Sequence, residues 1–506
     1  MSDLAVSSSV PPLRVRSLNR KRVNPEGEFV LYWMLANRRV RSNFALQRAV
    51  DWSITLRRPL VIFEPVGCRG HWNSDRTHAF VIAGMRDNAE ALSRASSAVG
   101  YVPYAEPKPR AAAPLLDELL GRSAVVVTDD FPCYIVPKVI EAGARRSPVL
   151  CEAVDTNGLL PMRAAEQTFT TAYSFRNFLQ KTLRPHLGEF PEKNPLSRVG
   201  RPPCPPELLA KVLNTPGIVS GASLENPADV VAKLPIDHGV APGLQTGGPV
   251  AGLAMLTRFV EHRLPRYGEH RNDPDDEAAS GLSPYLHFGH VGVHQIFSEV
   301  VSTEDWSVEQ VSSKAGGKRE GWWNLSPTVE SFLDELITWR ELGFNFCSRH
   351  DNYDQYESLP DWARETLEEH ASDRRPVIYD FDTLDSASTH DELWNAAQRQ
   401  LVREGRMHNY LRMLWGKKVL EWSPSPQEAI QHLIELNNRY AIDGRNPNSY
   451  SGIFWVFGRY DRAWGPERPI YGKIRYMTSD NTRRKLKLDR YLRTYRPGAG
   501  QKSLFS

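Results

Sequence analysis

The strongest constraint on the fold of this chain is a change of hydrophobic period part-way along it. Up to about residue 160, short and largely apolar runs (Phe29 to Met34, Leu60 to Glu64, Tyr101 to Tyr104, Ala124 to Thr128, Val149 to Ala153) alternate with stretches of helical spacing. The helical stretches are Asn43 to Leu56, Thr77 to Val99 and Pro114 to Leu120. Runs that are apolar throughout suit strands buried on both faces, and their alternation with helices predicts a doubly wound parallel sheet over residues 28–160. Beyond Gly248 only the helical period survives, in Ala251 to Leu264, Val291 to Val301, Thr328 to Phe346, Thr389 to Glu404, His408 to Glu421 and Pro426 to Tyr440. The expected architecture is an α/β N-terminal domain followed by an all-α C-terminal domain over 251–490. Residues 1–27, polar and basic without a period, read as a flexible arm, 161–250, rich in Pro and Gly, as an inter-domain linker, and 491–506 as a tail.

Composition narrows the function. Lys and Arg number 63 against 60 Asp and Glu, a net charge of +3, so a nucleic-acid site would have to be a local patch rather than a property of the whole chain. The five cysteines form no CxxC pair and have no His at ligand spacing, which predicts reduced thiols and no metal. No apolar run is long enough for a bilayer span. The expectation is an intracellular monomer, cytoplasmic or, in a eukaryote, nuclear. No GxGxxG and no P-loop follows the first strand, which argues against a dinucleotide or triphosphate site of those kinds.

Several segments of the helical half carry chemistry-bearing residues, each with a plain structural alternative. In 279–289 (ASGLSPYLHFG), small residues and hydroxyls precede Pro284 at a helix start, which suits either a phosphate on backbone N–H groups or an ordinary cap. Glu335 and Trp339 are four apart on one helix face, as a ligand contact or as a surface carboxylate beside a core indole. Trp415 and Trp422 are seven apart with Trp394 one helix earlier, a spacing that serves core packing and also electron hopping to a buried redox group. Asp443-Gly444 suits a turn, while Asp443 could also pair with Arg412, and Asn437 could meet the edge of a ring. After Trp455, the residues Arg459, Arg462, Lys473, Arg475, Arg483, Arg484, Lys485 and Lys487 interleave with Tyr460, Trp464, Tyr471 and Tyr476, as a solvated basic surface or as a stacking and phosphate-neutralising one.

Taken together, SGLSPYLHFG, ELITWREL, DELWNAA, GRMHNYLRMLW, KKVLEW, LNNRYAIDGRNPN and YGKIRYM resemble the C-terminal signature of the class II cyclobutane pyrimidine dimer photolyases, densely over 250–490 and loosely over the α/β half. The resemblance implies FAD in the helical domain, with Tyr267, Ser280, Gly281, Leu282 and Ser283 at its phosphates. It places Arg412, Asp443 and Gly444 beside the flavin and Asn437 facing flavin N5. It implies double-stranded DNA containing pyrimidine dimers as partner: Glu335 touches the dimer, Trp339 and Trp455 wedge it, Asn409 and Met413 lie beside it, and Arg462 and Arg475 sit near the gap left in the duplex. Trp394, Trp415 and Trp422 match the electron-transfer chain, and the α/β domain would carry an antenna chromophore, a deazaflavin or a folate, with no motif deciding between them.

Two departures from the family pattern fall on the substrate side. The run Val456 to Tyr460 is one residue shorter than usual and lacks the family's His, and Gln295 stands where the pattern has an Arg. The alternative function is a cryptochrome-like flavin photoreceptor. Loss of the repair carboxylate or a long C-terminal extension would favour it; here Glu335 is present and only a short tail follows the last motif.

Overall fold

The computed structural model describes residues 6–200 and 202–498. The chain divides into two compact units: Met1–Glu166, Thr182–Thr257 and Leu282–Gln310 form the first, and Gln167–Lys181, Arg258–Gly281 and Val311–Ser506 the second.

Among the described residues the first unit is built on one six-stranded sheet. Its strands are β1 (Val15–Ser17), β2 (Phe29–Trp33), β3 (Leu60–Val66), β4 (Val99–Ala105), β5 (Ser123–Asp129) and β6 (Cys151–Val154), in the spatial order β1-β6-β5-β2-β3-β4. All neighbours pair in parallel except β1 with β6. Helices α1 (Phe44–Leu56), α2 (Asp75–Ser93), α3 (Ala112–Arg122) and α4 (Val136–Arg146) make the crossovers. Alternate residues of β2 face opposite sides: Val30 and Tyr32 pack with Ala45, Ala49 and Trp52 of α1, Leu31 and Trp33 with Leu115 and Leu119 of α3. Both faces are covered, which is why these strands are apolar without alternation.

In doubly wound sheets the crevice between the two strands where the order reverses is the usual ligand position. Here Asp129, at the end of β5, fills that role for the chain itself. Its carboxylate accepts the backbone N–H groups of Leu35 and Ala36 at 2.7 Å and of Asn37 at 3.1 Å, and the Tyr32 hydroxyl at 2.9 Å. The amides that would hold a phosphate after β2 are spent on a side chain, in agreement with the missing glycine fingerprint.

Three expected boundaries are corrected. Residues 1–5 of the predicted arm lie outside the described residues, but the rest of it is ordered. β1 adds an antiparallel edge, Val10 is buried, and the fully buried Arg14 donates to Gly158 O at 3.0 Å and Leu159 O at 2.7 Å. The anchor is a long-range polar one that no apolar period announces. The predicted linker 161–250 is not extended: Ala172–Thr182 is a helix that lies in the second unit up to Lys181, while Val219, Leu224, Val231 and Leu234 pack on Val81, Ile82 and Met85 of α2. Within the predicted helical domain, Leu282–Gln310 belongs to the first unit, and the boundary at 490 falls inside the helix Asp489–Thr494, whose Tyr491 is buried, as is Tyr495 just beyond it. Residues 499–506 of the predicted tail lie outside the described residues.

The second unit contributes the helices that matter for the site. α5 (Pro327–Leu333) runs through one wide turn, Asp334–Trp339, into α6 (Arg340–Cys347), and then follow α7 (Glu392–Glu404), α8 (Asn409–Trp422), α9 (Pro426–Tyr440) and α10 (Pro447–Val456). Their ends are chemically fixed. Asp391 accepts the N–H groups of Leu393 and Trp394 to start α7, and Gly405, at φ +73, ends it in the left-handed region that other residues enter at a cost. Ser425 and Asn446 cap α9 and α10, each with Pro as the first helical residue.

Candidate functional site

The capped start of α7 sets Trp394 between the two indoles of α8. Its ring lies 6.5 Å from that of Trp415 with the planes 10° apart, and 5.6 Å from that of Trp422 at 68°. All three are buried. The polar edges are satisfied inside the row, Trp394 Nε1 donating to Trp415 O and Trp415 Nε1 to Gln398 Oε1, both at 3.0 Å. The heptad spacing of Trp415 and Trp422 gave their shared helix; the order Trp415, Trp394, Trp422 comes from the neighbouring helix. The row continues to Tyr379, 5.4 Å from Trp422, whose hydroxyl is 2.7 Å from Nδ1 of the exposed His390. Sequence reading missed Tyr379, since its surroundings carry no helical period.

Next to this row, α8 and α9 bring Arg412, Asn437 and Asp443 together. Arg412 donates to Asn437 Oδ1 at 3.4 Å and stands 4.0 Å from Asp443 Oδ1, both long contacts. Asp443 Oδ1 is buried and accepts no hydrogen bond. Asn437 is buried and its amide donates to Asn438 Oδ1 at 3.1 Å, while Gly444 N closes the turn onto Ala441 O at 3.0 Å. The trio is thus gathered without being saturated. One turn apart on α8, Asn409 is exposed and Met413 half-buried.

Glu335 and Trp339 share the wide turn between α5 and α6, in which Arg340 N reaches back to Glu335 O. Single wide turns of this kind are concentrated at functional positions. Trp339 is half-buried rather than core, and it stacks on the half-buried Trp455 of α10 with centroids 4.8 Å apart and planes at 27°. The Glu335 carboxylate pairs with Arg271 at 2.6 Å. Burial pushes the Glu335 carboxyl above its ordinary value, against the pull of the Arg271 charge. Arg271 follows the helix Leu264–His270 and its guanidinium lies 5.7 Å from the ring of Tyr267, a buried residue wedged edge-on against Phe332. Arg271 is a candidate site residue that sequence reading missed, 64 residues from its partner.

The predicted phosphate segment is split by the architecture. Ser280 and Gly281 close a stretch of the second unit, while Leu282 and Ser283 open a stretch of the first, Ser283 starting the short helix Ser283–His287.

On the basic surface, Arg462 and Arg475 are exposed and set their guanidiniums against one indole, Trp464, at 4.4 and 5.3 Å. Trp464 Nε1 donates to Asp461 Oδ1 at 3.1 Å. The shortened run 456–460 folds into the body of the unit: Arg459 is buried with its guanidinium 4.0 Å from the rings of both Phe346 and Phe454, and it donates to Tyr353 O at 3.0 Å. Gln295 caps its own helix, Val293–Val301, by accepting Gly292 N at 2.9 Å. At both departures the residues present make local structural contacts.

No family model matches the chain. It is 32% identical over 479 residues to the deoxyribodipyrimidine photo-lyase of Methanothermobacter thermautotrophicus, with 95% of this chain and 97% of that one covered. It is 33% identical over 504 residues to the protein of the same name from Oryza sativa subsp. japonica, covering 96% and 91%. Among solved structures, a bacterial class III photolyase from Agrobacterium tumefaciens superposes with a TM-score of 0.62 over 93% of this chain and 86% of that one, at 16% identity, a likeness of fold. With identity of this order over nearly the whole of both chains, the protein belongs to the deoxyribodipyrimidine photo-lyases of the photolyase/cryptochrome family.

Proposed function

We propose that the protein repairs cyclobutane pyrimidine dimers in double-stranded DNA by light-driven electron transfer from bound FAD, in the class II manner. The observation that carries this reading is the stacking of Trp339, on the same turn as Glu335, against Trp455 of α10: two half-buried indoles with a carboxylate one turn away. A dimer inside a duplex is out of reach and must be flipped out, at a cost of a few kcal/mol that is smaller for a badly stacked lesion. Stacking on an indole returns about 1–3 kcal/mol per base. Arg462 and Arg475, held on Trp464, supply cations for the phosphates near the gap.

The flavin fits the residues present. A buried Asp443 oxygen that accepts no hydrogen bond, an Arg412 engaged only by long contacts and the buried Asn437 are the complement of a ring edge with both donors and acceptors. Tyr267 and residues 280–283 would hold the phosphates. What bound, reduced FAD supplies is one electron on absorbing blue or near-ultraviolet light, returned once the cyclobutane ring has opened.

The chain's own groups do the rest. Tyr379, Trp422, Trp394 and Trp415 form a route for electrons from the surface to the buried interior, with the Tyr379 hydroxyl held 2.7 Å from His390 Nδ1 at its outer end. As negative charge builds on the dimer, an ionised carboxylate beside it would oppose the reaction. Glu335 meets this in two ways: burial eases its protonation, and Arg271 offsets its charge. The same reading gives the α/β unit an antenna pigment, a deazaflavin or a folate, and has the protein act as a monomer inside the cell.

Expression in a bacterium lacking its own dimer repair tests the function. Survival after ultraviolet exposure should rise only when the cells are then given blue light. Survival that is unchanged by light contradicts the reading.

A further inference from the structure

Lys417 lies on α8 between Trp415 and Trp422 in sequence, yet it takes part in neither the indole row nor the Arg412 trio. It is 1% exposed. Its Nζ donates to Val456 O, the carbonyl of the last residue of α10 and the neighbour of Trp455. The adjacent carbonyls are used by the turn that follows: Phe454 O accepts Phe457 N at 3.0 Å and Arg459 N at 3.1 Å, and Trp455 O accepts Gly458 N at 3.1 Å. A cation at a helix C-terminus is favoured by the helix dipole. A buried ammonium with no carboxylate within salt-bridge distance among the described residues is nonetheless costly, and simple packing would be met by Met or Leu.

Two neighbours build the position. A Cβ on Gly416 would lie 2.4 Å from Val456 Cγ2, so the glycine lets α8 and α10 approach closely enough for the lysine to reach. On its main-chain side Lys417 O accepts the hydroxyl of the buried Tyr471 at 2.9 Å.

We propose that Lys417 is a positioning residue for lesion capture, pinning the end of α10 so that Trp455 stays stacked on Trp339. The inference rests on Trp455 receiving the dimer. Burial pushes the Lys417 ammonium down to about 7, with Asp461 pulling it up and Arg475 pushing it further down; the third group facing it, the Tyr471 phenol, is raised well above its ordinary value and stays neutral. When Arg475 engages a phosphate, its repulsion of Lys417 is offset, so capture takes up a proton near neutrality.

The test is dark binding of the flavin-loaded protein to a labelled duplex with and without a single thymine dimer, across neutral pH. In the wild type the gain in affinity due to the dimer should fall as pH rises through about 7. Lys417→Met should lose about tenfold in dimer affinity, ~1.4 kcal/mol, and flatten the profile, while flavin content and turnover at saturating dimer stay at wild-type levels. Lys417→Arg, a permanent cation, should keep the affinity and also flatten the profile. Undiminished dimer affinity in Lys417→Met, or a wild-type profile flat through neutrality, overturns the proposal. Should Lys417→Met fail to fold, the other two proteins decide: an inflection retained in Lys417→Arg overturns it equally. Trp455→Ala in parallel separates the two readings. Undiminished dimer affinity there removes the lesion role of Trp455 and the proposal with it, whereas loss there with none in Lys417→Met removes only the role of Lys417.

Discussion

Trp394 and Trp415 lie almost parallel, their ring planes 10° apart, and the indole N–H of Trp394 donates to the carbonyl of Trp415 at 3.0 Å. One hydrogen bond therefore joins two helices and fixes the geometry of two rings. Because Trp394 also contacts Trp422, it is the middle member of the row, and its loss should interrupt transfer whichever end supplies the electron. Trp394→Phe is expected to slow photoreduction of the oxidised flavin by more than about tenfold, equivalent to ~1.4 kcal/mol or more in barrier, with repair by chemically reduced protein unaltered. Transient absorption of the flavin checks both, and photoreduction at the wild-type rate would remove Trp394 from the route.

The Glu335–Arg271 pair sets a pH dependence. Burial raises the Glu335 carboxyl and the Arg271 charge is the main influence lowering it, so Arg271→Gln must raise it further. The inflection that Glu335 gives to repair yield against pH should then move to higher pH, and Glu335→Gln should abolish it, with yield down about fivefold, ~1 kcal/mol, and dimer binding kept. Stability follows the same sign. A carboxyl whose folded value lies above its unfolded one costs stability as pH rises between the two, and Arg271→Gln widens that interval. Single-turnover repair yields and thermal melts across acid to neutral pH report both effects; an inflection unmoved in Arg271→Gln would dissociate the pair from the chemistry.

Trp339→Ala should weaken binding of dimer-containing duplex by roughly 1–3 kcal/mol, the worth of one stacked base, and leave undamaged duplex unaffected. Fluorescence anisotropy with the two duplexes distinguishes this from a general loss of DNA binding. Equal losses on both would make Trp339 a packing residue.

How much of this was legible depends on whether the determinant is local. The strands β2, β3 and β5 and the helices α1, α8 and α9 were legible because each carries its own signal, a continuous apolar run or a 3–4 spacing, which in α1 and α9 stands behind a capping Asn or Ser. β1 was not, since Arg14 anchors it through carbonyls some 140 positions away. The motif residues stood out in the sequence and the residues that contact them did not: Glu335 without Arg271, Trp422 without Tyr379, Trp455 without Lys417. Each of those partners sits on a different element, and contact between elements leaves no period in the sequence. The short 456–460 run and Gln295 stood out as departures, but only the buried Arg459 and the Gln295 cap say what the residues do instead.

Arg462 and Arg475 make a prediction about salt. If each neutralises one phosphate, Arg462→Ala and Arg475→Ala should each lower the slope of log affinity against log salt by about one. Trp464→Ala, which removes the indole both guanidiniums lie on, should lose part of both contributions. Binding titrations at several salt concentrations give the slopes; slopes unchanged in all three variants would move the phosphate contacts elsewhere on the basic surface.

Light-driven repair is measured most directly as the number of dimers split per absorbed photon by the purified, FAD-loaded and chemically reduced protein on a duplex carrying a single thymine dimer. The dimer should be lost in proportion to blue-light dose and not at all in the dark, with a lower yield in Glu335→Gln at the same bound fraction. A dimer that survives illumination with the reduced flavin in place and the duplex bound would contradict it.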